Sequence, residues 1–197
     1  MHAIWVFVTD CGDSAVTVPL ALLTLIFLLM AGARRLALFW LLTIGGCAGA
    51  IALLKLAFGA CGQRIAIAHI VSPSGHTAMS AAVYGSLALL VGTALPPRYR
   101  RLVLFAAAIA VVGIALSRVV LHKHNAAEIV LGLIVGGTAV AVFRALLSRE
   151  EVPALPLGWF VLSIVALIAV MHGARWMVEP AMQALARALR LAEPWCG

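Results

Sequence analysis

Four long segments of this chain contain no charged residue, and they constrain its fold more than any other feature. They cover residues 14–33, 36–54, 77–97 and 152–174. A helix needs about 20 mostly apolar residues to cross the hydrocarbon core of a bilayer, so each segment is long enough to span one. Hydrophobic residues make up 64% of the 197 residues and charged residues 11%, whereas soluble domains contain about 25% charged residues. The composition therefore excludes an ordinary soluble enzyme.

Two shorter apolar windows, residues 102–117 and 129–143, are flanked by charges that can reach the membrane surface. Together with the longer segments they predict an all-α fold, a polytopic membrane bundle of about six transmembrane helices in a single domain over residues 1–197. Residues 178–193 contain Arg187 and Arg190 and predict an interfacial helix lying on the membrane. Glycines spaced four apart predict close helix packing, and they are Gly45 with Gly49 and Gly132 with Gly136.

The basic residues divide between alternate connections of this predicted bundle. The 14 Lys and Arg residues split evenly between the two sides, so the positive-inside rule alone does not orient the chain. One side holds Arg34, Arg35, Arg98, Arg100, Arg101, Arg144 and Arg149. The other side holds Lys55, Arg64, Arg118, Lys123, Arg175, Arg187 and Arg190. If Lys55, Arg64, Arg118 and Lys123 are present because they serve a function, they do not count as topology signals. Their side is then the outer one, and both termini lie outside.

Ionisable residues at membrane depth are costly and mark functional sites. Two clusters occur on the predicted outer side: Lys55 through Arg64 to Pro73-Ser74-Gly75-His76, and Ser117-Arg118 through His122-Lys123-His124 to Glu128. Lys and Arg bind phosphate oxygens, and the amides of a helix beginning near Gly75 would bind an anion. His124 and Glu128 are four residues apart, so on a helix the carboxylate can orient the imidazole. This combination of groups favours phosphoryl transfer.

Other ligand chemistries fit the pattern poorly. No Cys-x-x-Cys or His-x-x-x-His pair is present, and the nearby cations would repel a metal ion, so we expect no metal and no cofactor. The net charge of +7 comes from basic residues between apolar segments, which act as signals for membrane orientation. We therefore expect no nucleic-acid partner. Three cysteines map to the oxidising side, where one disulfide could form with its pairing left open; they are Cys11, Cys61 and Cys196.

The clusters resemble the three signature motifs of the type 2 phosphatidic acid phosphatase superfamily, which is related to the vanadium haloperoxidases. The family pattern is a Lys, six residues and Arg-Pro; then Pro-Ser-Gly-His; then Ser-Arg, five residues, a His, three residues and an Asp. Residues 73–76 match the second motif in full, and residues 117–128 keep the spacing of the third. The resemblance covers residues 9–147 and leaves the last apolar segment, 152–174, outside it.

The chain departs from the family pattern at two places. Glu128 stands where the family has Asp. In the first motif, eight residues rather than six separate Lys55 from Arg64, and Ile65 replaces the Pro. The loop must therefore bulge to bring both cations to one phosphate.

The resemblance implies a role for each matched residue. His124 would attack phosphorus as the nucleophile with Glu128 orienting it, and His76 would act as general acid and then general base. The phosphate would be bound by Lys55, Arg64, Ser74, Gly75 and Arg118, with Lys123 as a further candidate contact. The family carries out this chemistry without a metal.

The sequence thus predicts an integral membrane phosphatase of lipid phosphates or pyrophosphates, with its site facing the periplasm of a bacterial inner membrane. Undecaprenyl pyrophosphate is the favoured substrate, because the chain lacks a large soluble insertion to bind a sugar headgroup. Phosphatidylglycerol phosphate, phosphatidic acid and lipid A phosphates remain alternatives, as do a phosphotransferase and a non-catalytic lipid-phosphate binding or transport protein. We expect membrane lipids around the chain and consider a homodimer.

Overall fold

The structure is a computed structural model, and it describes residues 2–61, 70, 72–150, 152, 156–174, 176 and 178–192. The regular elements in these ranges are all helices: α1 (His2–Asp10), α2 (Ser14–Met30), α3 (Arg34–Cys61), α4 (Gly75–Thr93), α5 (Pro97–Val120), α6 (Ala126–Leu147), α7 (Leu157–Met171) and α8 (Val178–Ala192). This confirms the predicted all-α class. Arg64 and Cys196 lie outside the described residues.

Capping side chains begin three of these helices. Asp13 precedes α2 and accepts a hydrogen bond from the Ala15 amide at 2.8 Å. Ser74 caps α4, and its side chain accepts from the Thr77 amide. Asn125 begins α6 with a capping box, in which Glu128 accepts in return from the Asn125 amide. All three caps lie at the same end of the bundle, because Asp13 approaches the start of α4 and Ser74 bonds to the start of α6.

Helix α4 is the centre of the bundle. It packs against α2, α3, α5 and α6, and most of its residues are buried. A Cβ added at Gly132 would lie 2.7 Å from the Ser74 carbonyl oxygen, and one at Gly136 would overlap the Ala78 carbonyl oxygen. Only glycine therefore allows α6 to approach α4 this closely. The packing prediction is confirmed for this pair, whereas no described atom lies within 4 Å of a Cβ built at Gly45 or Gly49.

Four helical stretches in the described ranges are long and apolar enough to cross a membrane: His2–Met30, which combines α1 and α2, Arg34–Gly59, Pro97–Val120 and Ala126–Leu147. Large apolar side chains on them face outward, as Leu42, Phe105 and Ile134 are 61%, 65% and 59% exposed. Contact with lipid explains such surfaces, which a soluble monomer rarely shows. The chain is a polytopic membrane protein.

The predicted count of six spans is not confirmed. Helix α4 carries Ser and Thr among its apolar residues because protein rather than lipid surrounds it, and α7 has only 15 residues. Both fall outside the set of long apolar helices in the described part of the chain. The first predicted span, residues 14–33, corresponds to α2 but is extended at its start by α1.

The predicted helix at 178–193 is present as α8, Val178–Ala192, and it packs against α3. Its neighbour along the chain, Trp176, and its own residues Met182 and Gln183 reach the end of the bundle that holds the three caps. The C-terminal segment therefore covers part of that end.

Candidate active site

A polar cavity of about 480 Å³ lies where α4 and α6 begin and α5 ends. It is lined by Ser72, Gly75, His76, Arg118, His122, Lys123, His124, Asn125, Glu128 and Gln183. Both clusters identified in the sequence thus contribute to one cavity.

The tight turn after α5 brings Arg118 and His124 to the same cavity. The amides of Lys123 and His124 both donate to the Arg118 carbonyl oxygen, at 2.9 and 3.2 Å. His122 has a φ of 52°, a left-handed conformation that is uncommon outside glycine. The chain reverses within a few residues, so α6 begins directly beside the end of α5.

Glu128 is buried, 5% exposed, and it connects the two clusters. Its Oε2 atom accepts from Nδ1 of His124 at 2.9 Å and from the Asn125 amide at 3.2 Å. Its Oε1 atom accepts from the Ser72 amide at 2.8 Å, and its carbonyl oxygen accepts from the Ser74 amide at 3.1 Å. One residue thereby fixes both the imidazole and the loop before α4.

The contact with Glu128 selects one tautomer of His124. Since an ionised carboxylate only accepts hydrogen bonds, Nδ1 carries the proton towards Glu128 and the lone pair resides on Nε2. Burial lowers the pKa of His124 below its usual value, the hydrogen bond to Glu128 opposes this, and the charges of Arg118 and Lys55 lower the pKa further. A neutral imidazole with a free ring nitrogen results.

His76 is the second residue of α4; it follows Gly75 and lies two residues after the Ser74 cap. Its Nε2 atom is 3.3 Å from Oδ2 of Asp13. Burial lowers the pKa of His76, the Asp13 carboxylate opposes this, and the charges of Arg118 and Lys55 lower the pKa again. His76 and His124 therefore each have a carboxylate partner.

The predicted cations differ in how they approach the cavity. Arg118 lines it and donates from its guanidinium to Oγ1 of Thr9 at 3.1 Å. Lys123 lines it from an exposed position on the turn. Lys55 lies at its border, with Nζ 3.4 Å from Oγ of Ser72. These three cations make the cavity favourable for an anion.

Two predicted phosphate contacts in the described part of the chain, Lys55 and Ser74, are not among the residues that line the cavity. Ser74 is fully buried, and its hydroxyl is occupied by the cap and by a 2.9 Å hydrogen bond with Oγ1 of Thr77. Arg64 lies outside the described residues, as do the side chains of Cys61 and Cys196. Cys11 carries a free thiol.

Sequence reasoning missed four residues of the site: Asp13, Ser72, Asn125 and Gln183. Asn125 could have been found, because Asn125-Ala-Ala-Glu128 has the spacing of a capping box. Asp13 and Gln183 belong to segments far from the motifs along the chain, and only the packing of the helices brings them to the cavity.

A second, mainly apolar cavity of about 250 Å³ adjoins the first, and Gly75 and His76 line both. Its other walls are Asp13, Ser14, Val18, Ala48, Ile51, Ala52, Lys55, Met79, Trp176 and Met182. Residues from α2, α3, α4 and the C-terminal segment thus form an apolar groove that ends at the polar cavity.

The site combines two imidazole–carboxylate pairs with nearby cations at one end of a helical bundle. The sequence model of the PAP2 superfamily matches residues 57–151, which carry the second and third motifs. The match supports membership of that superfamily and indicates a phosphatase-type function.

The chain is also similar to an uncharacterized 22.5 kDa protein in the cps region of Klebsiella pneumoniae. The two are 29% identical over 150 residues, which cover 76% of this chain and 72% of the relative. No solved structure matches the chain significantly.

Proposed function

We propose that the protein hydrolyses lipid phosphates through a phosphohistidine intermediate on His124. The observation that carries the proposal is the single cavity that contains His124 with Glu128, His76 and Arg118. A nucleophile oriented by a carboxylate, a second imidazole and a fixed cation are the groups that metal-free phosphoryl transfer requires.

In the first step, Nε2 of His124 attacks phosphorus and forms the N–P bond. The bond from phosphorus to the leaving oxygen breaks, and protonated His76 gives its proton to that oxygen. Glu128 stabilises the positive charge that develops on the His124 ring. The lipid alcohol or lipid monophosphate leaves.

In the second step, water attacks the phosphohistidine. His76, now neutral, takes a proton from the water as the new O–P bond forms and the N–P bond breaks. Inorganic phosphate and free His124 result. Arg118 and Lys55 stabilise the phosphoryl oxygens in both steps, with the Gly75 amide at the start of α4 as a further donor.

The apolar groove beside the cavity supports a lipid rather than a soluble substrate. A phosphate bound near His76 and Gly75 would place its hydrocarbon chain against Val18, Ile51 and Met79, which line that groove. Trp176 and Met182 would cover the chain from the C-terminal side. Burial of apolar chain in such a groove contributes about 25 cal/mol per Å².

Undecaprenyl pyrophosphate, converted to its monophosphate, remains the substrate we favour, because the polar cavity is compact and suits a small diphosphate head. In this proposal the cavity faces the periplasm of a bacterial inner membrane, and the undecaprenyl monophosphate product is released on that side. Phosphatidylglycerol phosphate, phosphatidic acid and lipid A phosphates use the same chemistry and are the alternatives.

The test is phosphate release by the purified protein in detergent from undecaprenyl pyrophosphate, phosphatidylglycerol phosphate and phosphatidic acid. We expect release that the His124→Ala substitution abolishes, while that variant still binds lipid phosphate. Labelled phosphate recovered on another lipid instead of in solution would identify a phosphotransferase. Binding without any release by the wild type would contradict the proposal and identify a lipid-phosphate binding protein.

A further inference from the structure

The turn between α1 and α2 carries a carboxylate that the mechanism above does not use. Oδ2 of Asp13 lies 3.3 Å from Nε2 of His76, and both side chains are mostly buried, 12% and 23% exposed. We propose that Asp13 is a positioning residue that holds His76 in the orientation and tautomer needed for acid–base catalysis. This inference rests on the proposed role of His76.

The turn is packed in a way that fixes the position of Asp13. Gly12 lies so close to α4 and α5 that an added Cβ would be 2.6 Å from Ile114 Cγ2 and 2.8 Å from Ser80 Oγ. The Tyr84 hydroxyl donates to the Cys11 carbonyl oxygen at 2.6 Å. These contacts join residues 11–13 to the two helices that carry His76 and Arg118.

The Asp13 carboxylate also has a partner besides His76. It accepts from the Ala15 amide at 2.8 Å as the cap of α2. This backbone donor helps to hold the carboxylate in place before any substrate binds.

Asp13 determines which ring nitrogen of His76 reacts. Because the carboxylate accepts, Nε2 carries a proton towards Asp13 and Nδ1 is left for the reacting oxygen. Protonated Nδ1 gives its proton to the leaving oxygen in the first step, and neutral Nδ1 takes a proton from water in the second. Asp13 stays ionised throughout and stabilises the imidazolium, as the carboxylate does in Ser-His-Asp triads.

The other charges around His76 make this carboxylate necessary. Lys55 on α3 and Arg118 on α5 both disfavour the protonated imidazole. Lys123, His124 and Glu128 line the far side of the same cavity, and Glu128 is already bonded to His124. Asp13 is thus the carboxylate that approaches His76 and opposes the cations.

The Asp13→Asn and Asp13→Ala substitutions test the inference together. Asparagine keeps an N-cap acceptor for α2 but loses the charge, whereas alanine loses both. We expect kcat with a lipid phosphate to fall about 10²-fold in both variants, and the alkaline limb of the kcat–pH profile to move to lower pH. Only Asp13→Ala should also lower the melting temperature.

The leaving group provides a further readout. Nitrophenolate leaves without a proton, so kcat/KM for p-nitrophenyl phosphate should stay near wild type in Asp13→Asn while kcat/KM for the lipid phosphate falls. The control is Glu150→Gln, which removes the carboxylate paired with Arg35 at 3.2 Å and should change neither profile.

Wild-type kcat and an unmoved pH profile in Asp13→Asn would overturn the inference and leave Asp13 as a helix cap. Equal losses of kcat/KM for both substrates would also overturn it. A wild type that releases phosphate from neither substrate would instead overturn the proposed function, and this inference with it.

Discussion

Glu128 bridges His124 and Ser72: Oε2 accepts from the imidazole at 2.9 Å and Oε1 accepts from the Ser72 amide at 2.8 Å. The family motif has Asp at this position, one methylene shorter. In this chain the longer side chain spans from the His124 imidazole to the loop before α4. The departure from the motif is therefore matched to the local geometry.

The Glu128→Asp substitution should reduce activity even though it restores the family residue. Its reach is roughly 1.5 Å shorter, so the carboxylate can keep the contact to His124 or the one to Ser72 but not both. We expect kcat to fall between about 10- and 100-fold, as for other residues that orient a reacting imidazole. Steady-state phosphate release checks this, with Glu128→Gln as the comparison that keeps length and loses charge. Activity equal to or above wild type in Glu128→Asp would show that the bridge is not needed.

Arg118 should contribute strongly to the transition state. Removal of one donor to developing negative charge costs about 3–4 kcal/mol, so Arg118→Ala should lose between about 10²- and 10³-fold in kcat/KM. Arg118→Lys, which keeps the charge but loses the planar fork, should lose less. The matched control is Arg101→Ala, an exposed arginine at the other end of the same helix. A rate for Arg118→Ala close to that of Arg101→Ala would remove Arg118 from the site.

The acid limb of the kcat/KM–pH profile should report the free nucleophile. The pKa of His124 is lowered from its ordinary value of 6.5 by burial, and only the neutral ring attacks phosphorus. Activity should therefore persist at pH 6.5 and decline only as the pH falls further. Since the hydrogen bond that His124 donates to Glu128 raises the pKa of His124, Glu128→Gln should move the acid limb to still lower pH. An acid limb with its midpoint above pH 6.5 would contradict the assignment of His124 as the nucleophile.

The apolar groove should select for substrates with long chains. Ala52 lines the groove, whereas its neighbour Leu53 points outward and is 69% exposed. Filling the groove with Ala52→Trp should raise KM for a long-chain lipid phosphate and leave p-nitrophenyl phosphate unaffected. Leu53→Trp should change neither KM. If Ala52→Trp leaves KM for the lipid unchanged, the chain binds elsewhere.

The sequence predicted the parts of the site that lie within short segments. Pro73-Ser74-Gly75-His76 and Arg118 through Glu128 each depend on local turns and caps, which follow from nearby residues. The four-residue spacing of His124 and Glu128 predicts the contact that the structure contains. These elements were predictable because their geometry is decided over a few residues.

Other features depend on how distant helices pack, and the sequence could not provide them. The approach of Asp13 to His76 requires the α1–α2 turn to pack against α4. The burial of Ser74 follows from the close contact of α4 with α6 at Gly132. The predicted count of six spans is not confirmed, because a helix surrounded by protein, such as α4, needs fewer apolar residues than one facing lipid.

The most direct test of the central claim is to trap the phosphoenzyme. The purified protein in EDTA is mixed with a labelled lipid phosphate, quenched in base, digested and sequenced by mass spectrometry. We expect acid-labile, base-stable phosphate on His124, its loss in His124→Ala, and no requirement for metal. Rapid phosphate release with no label on His124, or label on another residue, would contradict it.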